Sequence, residues 1–184
     1  MVNNNSLVVR RCVVKLEGKR VLLLVENGFE DLEFWVPVMR VQEEGAEIIV
    51  TSKEKDKQFS RKGCLQAVTD SDFESIDVSN IDGILIRGGW APDKLRRYEE
   101  VKRLVKNAHE KRKVVGMICD AGLVGITVGI VRGFRSVGSE GIKDDLINAG
   151  AVWVDEPAFG DGNLVWGRMV KDISDFCRKL VKSS

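Results

Sequence analysis

A doubly wound, mostly parallel α/β sheet sandwiched by helices is the fold class this sequence predicts, and two observations carry it. Four short runs, Val21–Val25, Glu47–Thr51, Gly83–Ile86 and Val114–Ile118, are rich in aliphatic residues on both faces, as strands covered by helices on each side must be. Between them lie segments whose apolar residues recur at helical spacing, so strand and helix alternate along the chain. In such sheets functional groups collect beyond the carboxyl ends of the strands.

The elements follow in order. Leu7–Leu16 could add an edge strand ahead of the first aliphatic run, which Asn27-Gly28 closes as a turn pair. A helix is expected over Asp31–Glu44, with Leu32, Trp35, Val36 and Met39 on one stripe; Pro37 would start or kink it, and Gly45 stops it. After the second strand, the polar Lys53–Asp70 stretch suits a hairpin excursion. The third strand is followed closely by Gly88-Gly89, and Ala91–Lys113 has helical spacing in Leu95, Tyr98, Val101, Leu104 and Val105. Cys119 stands at the end of the fourth strand, ahead of a helix over Leu123–Val131. A short helix at Lys143–Asn148, a strand at Ala151–Val154, a hairpin turning at Asp161-Gly162 and a helix over Val170–Val181 complete the chain.

Composition narrows the function classes. The 184 residues hold 29 basic and 28 acidic side chains, a net charge of +1. A protein that neutralises a phosphate backbone needs a clear basic excess, so no nucleic-acid partner is expected. Apolar residues at 43% and charged residues at 31% are globular values. Residues 1–18 are read as an N-terminal extension and residues 19–184 as a single domain. No run approaches the roughly 20 apolar residues of a membrane span, and Arg10-Arg11 interrupt the one candidate export signal. A cytoplasmic location follows, with no membrane partner. Four cysteines, Cys12, Cys64, Cys119 and Cys177, lie more than fifty residues apart, so no zinc spacing exists and neither metal nor cofactor is expected.

Three strand ends should meet at one rim: Glu26–Glu33, Arg87–Asp93 and Ile118–Gly122. A cysteine where strand gives way to helix is held above the sheet, over the helix N–H groups that favour thiolate. Gly88-Gly89 could bring backbone N–H donors close to a developing oxyanion. By spacing alone Cys119 is either a reactive thiol or a small packed hydrophobe.

These segments resemble the PfpI intracellular protease family, within the superfamily of the deglycases and class I glutamine amidotransferases. The resemblance runs from about Lys19 to the C-terminus. It is carried by Val25-Glu-Asn-Gly-Phe-Glu-Asp-Leu-Glu33, Gly88-Gly-Trp-Ala-Pro-Asp93, Ile118-Cys119, Gly141-Ile-Lys-Asp-Asp-Leu-Ile-Asn-Ala-Gly150 and Trp153-Val-Asp-Glu-Pro157. It implies a flavodoxin-like, glutamine-amidotransferase-like sheet and self-association as a homodimer or hexamer. It also implies Cys119 as nucleophile, Glu33 as the buried acid bonded to its sulfur, and Gly89 with the Asp120 N–H as the oxyanion hole. Asp93 matches the acid that reaches a neighbouring subunit's site in the protease branch.

The same resemblance exposes departures. Where the family reads isoleucine, cysteine, histidine, glycine, proline, this chain reads Ile118-Cys119-Asp120-Ala121-Gly122. Its single histidine, His109, sits among charges late in a helix and reads as a solvated surface residue. A carboxylate in place of the imidazole is a poor base at neutral pH and Asp120 would repel a thiolate; at a first helical turn it could instead simply complement the dipole. No side chain near Cys119 is expected to supply a base with pKa near 7. Losing acid–base help costs on the order of 100- to 10,000-fold in rate. Arg87, Trp90, Met117, Ser139-Glu140 and Trp166-Gly167 also depart from the family pattern. Arg87, where proline is usual, is expected either to pair with Asp120 or Glu140 at the rim or to point into solvent. The functional expectation is a cysteine hydrolase-like protein of peptidase or deglycase type with an incomplete site and weak or lost hydrolysis. The alternative is a thiol redox or stress-response protein, or a non-catalytic binding subunit. Glu33 within reach of the Cys119 sulfur would favour thiol chemistry; Arg87 or Trp166 filling that space would favour a structural role.

Overall fold

Parallel strands that are apolar on both faces build the centre of the molecule. The computed structural model describes residues 14–60, 62, 63 and 65–183. The expected edge strand over Leu7–Leu16 lies mostly outside these, as do Cys12 and Cys64, and residues 14–16 are not in a strand. In chain order the elements are β1 (Arg20–Leu24), α1 (Asp31–Glu43), β2 (Glu47–Ser52), β3 (Lys57–Phe59), β4 (Gln66–Val68), β5 (Ser71–Asp72), β6 (Gly83–Ile86), α2 (Ala91–Leu95), α3 (Glu99–Glu110), β7 (Val114–Ile118), α4 (Gly122–Val128), β8 (Arg135–Ser136), α5 (Lys143–Asn148), β9 (Val152–Trp153), β10 (Ala158–Asp161), β11 (Leu164–Gly167) and α6 (Ile173–Ser183).

Seven strands form one sheet in the order β10-β11-β7-β6-β1-β2-β5. Every pairing in it is parallel except β10 with β11. From β1 the chain crosses to β2 on one side and later returns to β6 and β7 on the other, so strand order reverses at β1. The carboxyl ends of β1, β6 and β7 are therefore adjacent, at the position where a doubly wound sheet opens a crevice. The polar excursion is the β3–β4 hairpin, a separate antiparallel pair, and β8 pairs with β9 apart from the main sheet.

Two expectations are corrected here. The apolar stripe Leu32, Val36 and Met39 of α1 faces outward, and the helix buries Phe34, Pro37, Val38 and Val41 together with Glu33. Both faces of this helix are apolar, so periodicity could not choose between them. Pro37 sits inside α1 and neither starts nor ends it. The second correction is that Ala91–Lys113 is two helices, separated at residues 96–98.

Candidate active site

The rim is assembled by three loops, one from each adjacent strand end. Cys119 follows β7 directly and has φ 59°, a left-handed conformation rare for a side-chain-bearing residue. Holding it costs on the order of 1–3 kcal/mol, and the return is a sulfur aimed over the rim rather than along the sheet. The thiol is partly exposed.

Gly88 closes β6 beside it. A Cβ at Gly88 would lie 2.7 Å from Cys119 Cβ, 2.7 Å from Glu33 Oε2 and 3.0 Å from the Asp120 nitrogen. Only glycine fits there, and that single point locates three functional groups around it. Gly89, at φ 81°, carries the same constraint, since its Cβ would meet the Gly28 carbonyl oxygen at 2.5 Å. Its neighbours bond across the loop, Trp90 N–H donating to Gly28 O at 2.7 Å and Gly88 O accepting the Glu30 N–H at 3.2 Å.

Glu33 reaches the site from the first turn of α1 and is 2% exposed. Its Oε2 accepts the Gly88 N–H at 2.8 Å, and its carboxyl lies against the Cys119 thiol. Burial raises its pKa from 4.5 to about 7; the hydrogen bonds from Gly88 and Cys119 pull the other way, while Glu30 and Asp120 add to the rise. Burial, then the charges of Glu33 and Asp120, push the Cys119 pKa well above the usual thiol range. The site therefore rests with its thiol protonated, beside a carboxyl that titrates at neutral pH. That overturns the expectation that no neighbour could act as a base near pH 7. The amino-acid identity alone indicated a pKa near 4, and burial shifts it.

Asp120 points to the side, where its Oδ1 accepts the Ser139 hydroxyl hydrogen bond. Ser139 and Asp120 both depart from the family pattern and here they satisfy one another.

The sequence pattern of the DJ-1/PfpI family matches residues 19–183. The chain belongs to the DJ-1/PfpI family. It is 39% identical over 163 residues to an uncharacterized protein of Archaeoglobus fulgidus, covering 89% of this chain and 96% of that one. It is 36% identical to the deglycase PYRAB04690 of Pyrococcus abyssi, over 89% of this chain and 98% of that one. Among solved structures, a two-domain protein of Anabaena variabilis with DJ-1/ThiJ/PfpI-like and ferritin-like domains matches with a TM-score of 0.87 at 33% identity. That match covers 89% of this chain and 47% of the other, so this chain spans about half its length.

Against the DJ-1/PfpI pattern, the expected Arg87 pairing is wrong. Arg87 is 2% exposed, its Nη2 donates to the Leu85 carbonyl at 3.2 Å, and its Cζ lies 4.5 Å from the centre of the Phe34 ring. Strand alternation is the reason: Arg87 shares a face with Leu85, and that face meets the helical layer rather than the rim. Glu140 is exposed, and neither it nor Asp120 forms an ion pair with Arg87 among the described residues. Trp166 is fully buried, with Cζ3 3.4 Å from where a Gly122 Cβ would be. Neither side chain separates Glu33 from Cys119. Asp93, in the first turn of α2, pairs with Arg96 at 3.0 Å and with Arg97 within its own chain. His109 is half-buried rather than solvated, its ring edge-on to Phe134 at 5.6 Å, and burial lowers its pKa. It lies at the amino end of β7, the opposite edge from Cys119. Among the described residues no His, Cys, Asp or Glu group is arranged to hold a metal ion, and no helix is long and apolar enough to cross a membrane.

Proposed function

We propose that this DJ-1/PfpI protein is a slow cysteine enzyme of the deglycase type, in which the Cys119 thiol adds to a reactive carbonyl and Glu33 carries the proton. The observation that supports it best is the convergence of the Cys119 Cβ, Glu33 Oε2 and Asp120 nitrogen on the space beside Gly88. In the addition step the sulfur forms a bond to the carbonyl carbon as its proton passes to the Glu33 carboxylate. The carbonyl oxygen takes the negative charge, faces the Gly89 and Asp120 N–H groups, and recovers the proton to give a hemithioacetal. Nothing in this step requires an imidazole. Peptide hydrolysis adds a second demand, a proton for the leaving amine, and with the Asp120 carboxyl engaged by Ser139 Glu33 would have to meet both. A high thiol pKa also weighs against a redox role, since oxidation proceeds through the thiolate.

The test is consumption of a methylglyoxal-type dicarbonyl by the purified chain, with peptide cleavage run in parallel. Slow dicarbonyl loss that disappears in Cys119→Ala is expected, with no peptide cleavage. Loss unaffected by Cys119→Ala would sink the proposal. Self-association as a homodimer or hexamer belongs to the same reading. It is supported by the exposed apolar stripe of Leu32, Val36 and Met39 on α1, and sedimentation of the native chain tests it.

A further inference from the structure

We propose that the cavity at the amino edge of the sheet binds a short-chain aliphatic carboxylate, its chain on an apolar floor and its head at Arg112 and Lys113. The cavity lies at the opposite edge of the sheet from Cys119, so the inference stands apart from the proposed carbonyl chemistry.

The floor comes from three directions. Val21 of β1 and Leu85 of β6 line it from the sheet, Val41 of α1 and Leu180 of α6 from the helical layer, and Leu16 from the segment ahead of β1. All five side chains are buried. Gly83 also lines the cavity; it shares the Leu85 face of β6 and brings no side chain, so the space stays open. The volume is about 230 Å³, the room of about eight waters at roughly 30 Å³ each. A ligand of about eight non-hydrogen atoms fills it, which is the size of hexanoate. A mostly apolar cavity with a few convergent polar groups is the usual form of a small-molecule site.

The charged residues around it are Lys19, Asp82, Arg112 and Lys113. The one acid among them is already satisfied: Asp82 pairs with Lys19 at 3.2 Å and accepts the Arg20 N–H at 3.0 Å. Burial pushes the Asp82 pKa up, but the Arg20 N–H, Lys19 and Lys113 outweigh burial and hold it below the usual carboxylate range. Arg112 and Lys113 form no ion pair among the described residues, so positive charge remains. Arg112 also has φ 56°, in the turn where its N–H donates to His109 O and the Lys113 N–H to Ala108 O, each at 2.9 Å. Glycine is the usual residue at such a helix end, and an arginine there is strained. An apolar floor beside unpaired cations complements an anionic head on an aliphatic chain. Residues 1–13 of the chain carry Arg10 and Arg11 and no acid, so the same cations repel them.

The experiment is a titration of the full chain with acetate, butanoate, hexanoate and decanoate at about pH 7, where each is ionised. Binding is read from the amide NMR shifts of Gly83, Lys113 and Val114. Each methylene from butanoate to hexanoate should tighten binding about fourfold, and decanoate, too long for the cavity, should gain nothing further. The uncharged alcohol 1-hexanol should bind about tenfold more weakly than hexanoate. Arg112→Gly suits the left-handed backbone and keeps the fold; combined with Lys113→Gln it should weaken hexanoate about tenfold and leave 1-hexanol unchanged. Native hexanoate affinity in that folded variant overturns the proposal. Should the variant not fold, the native chain decides: no saturable shift at these amides, equal affinity for 1-hexanol, or affinity that keeps rising to decanoate as on an open surface each overturns it. Displacement of hexanoate by a synthetic peptide of residues 1–13 would make that segment the occupant and overturn it equally.

Discussion

At the rim the buried Glu33 carboxyl shares a hydrogen bond with the Cys119 thiol. A carboxyl with a raised pKa disfavours the folded state once it must ionise. Between the ordinary value of 4.5 and about 7 the folded chain holds a proton that the unfolded chain has released, so stability falls as pH rises through that window. The integrated effect is about 3 kcal/mol. Glu33→Gln should abolish it: between about pH 4.5 and pH 8 the variant should gain that amount relative to the native chain, read by urea unfolding at each pH. An equal stability difference at both pH values would contradict the assigned burial of the charge. Asp120 adds negative charge on the other side of the sulfur. Asp120→His should therefore raise the iodoacetamide alkylation rate of Cys119 at neutral pH by about tenfold, as a protonated imidazole replaces a carboxylate.

The site is made by loop geometry that the elements impose. Gly88 follows β6 where a side chain would collide with Cys119, Glu33 and the Asp120 backbone nitrogen together. Gly88→Ala should accordingly cost at least 100-fold in dicarbonyl turnover, on the order of what misplacing a catalytic group costs, and about 1–3 kcal/mol in stability from overpacking. Turnover and denaturant midpoint are measured on one sample, and native turnover would show that the three groups are not held as described. Elements differ in how plainly the chain declares them. β6 and β7 are readable to the residue because continuous aliphatic runs end at Ile86, ahead of Arg87-Gly88, and at Ile118, ahead of Cys119. α1 was readable in extent but not in facing, because Leu32, Val36 and Met39 compete with Phe34, Val38 and Val41 for the core. What decides is tertiary: burying the second stripe also carries Glu33 in beneath Cys119. The break between α2 and α3, and the two-residue strand β5, leave too little periodicity to detect.

At the scale of the molecule, the parallel sheet separates two edges. The carboxyl edge of β1, β6 and β7 holds Glu33, Gly88 and Cys119. His109 packs on Phe134 at the amino edge. His109→Gln should thus leave both the alkylation profile of Cys119 and dicarbonyl turnover within about twofold of native, since charges a sheet length apart are largely screened. A larger change in either would mean that the lone histidine serves the site through another route.

The sequence by itself determined the sheet, its parallel sense, and the rim with Cys119 and the Gly88-Gly89 turn, because hydrophobic period and glycine placement are local properties; Glu33 was singled out only through the family resemblance. It also exposed the missing histidine. Only the tertiary structure decided what those residues are worth. The pKa of Glu33 depends on which atoms exclude water from it, and the direction of Arg87 depends on which face of β6 meets a helix. Burial and charge are sums over neighbours distant in the chain, and no spacing along it encodes them.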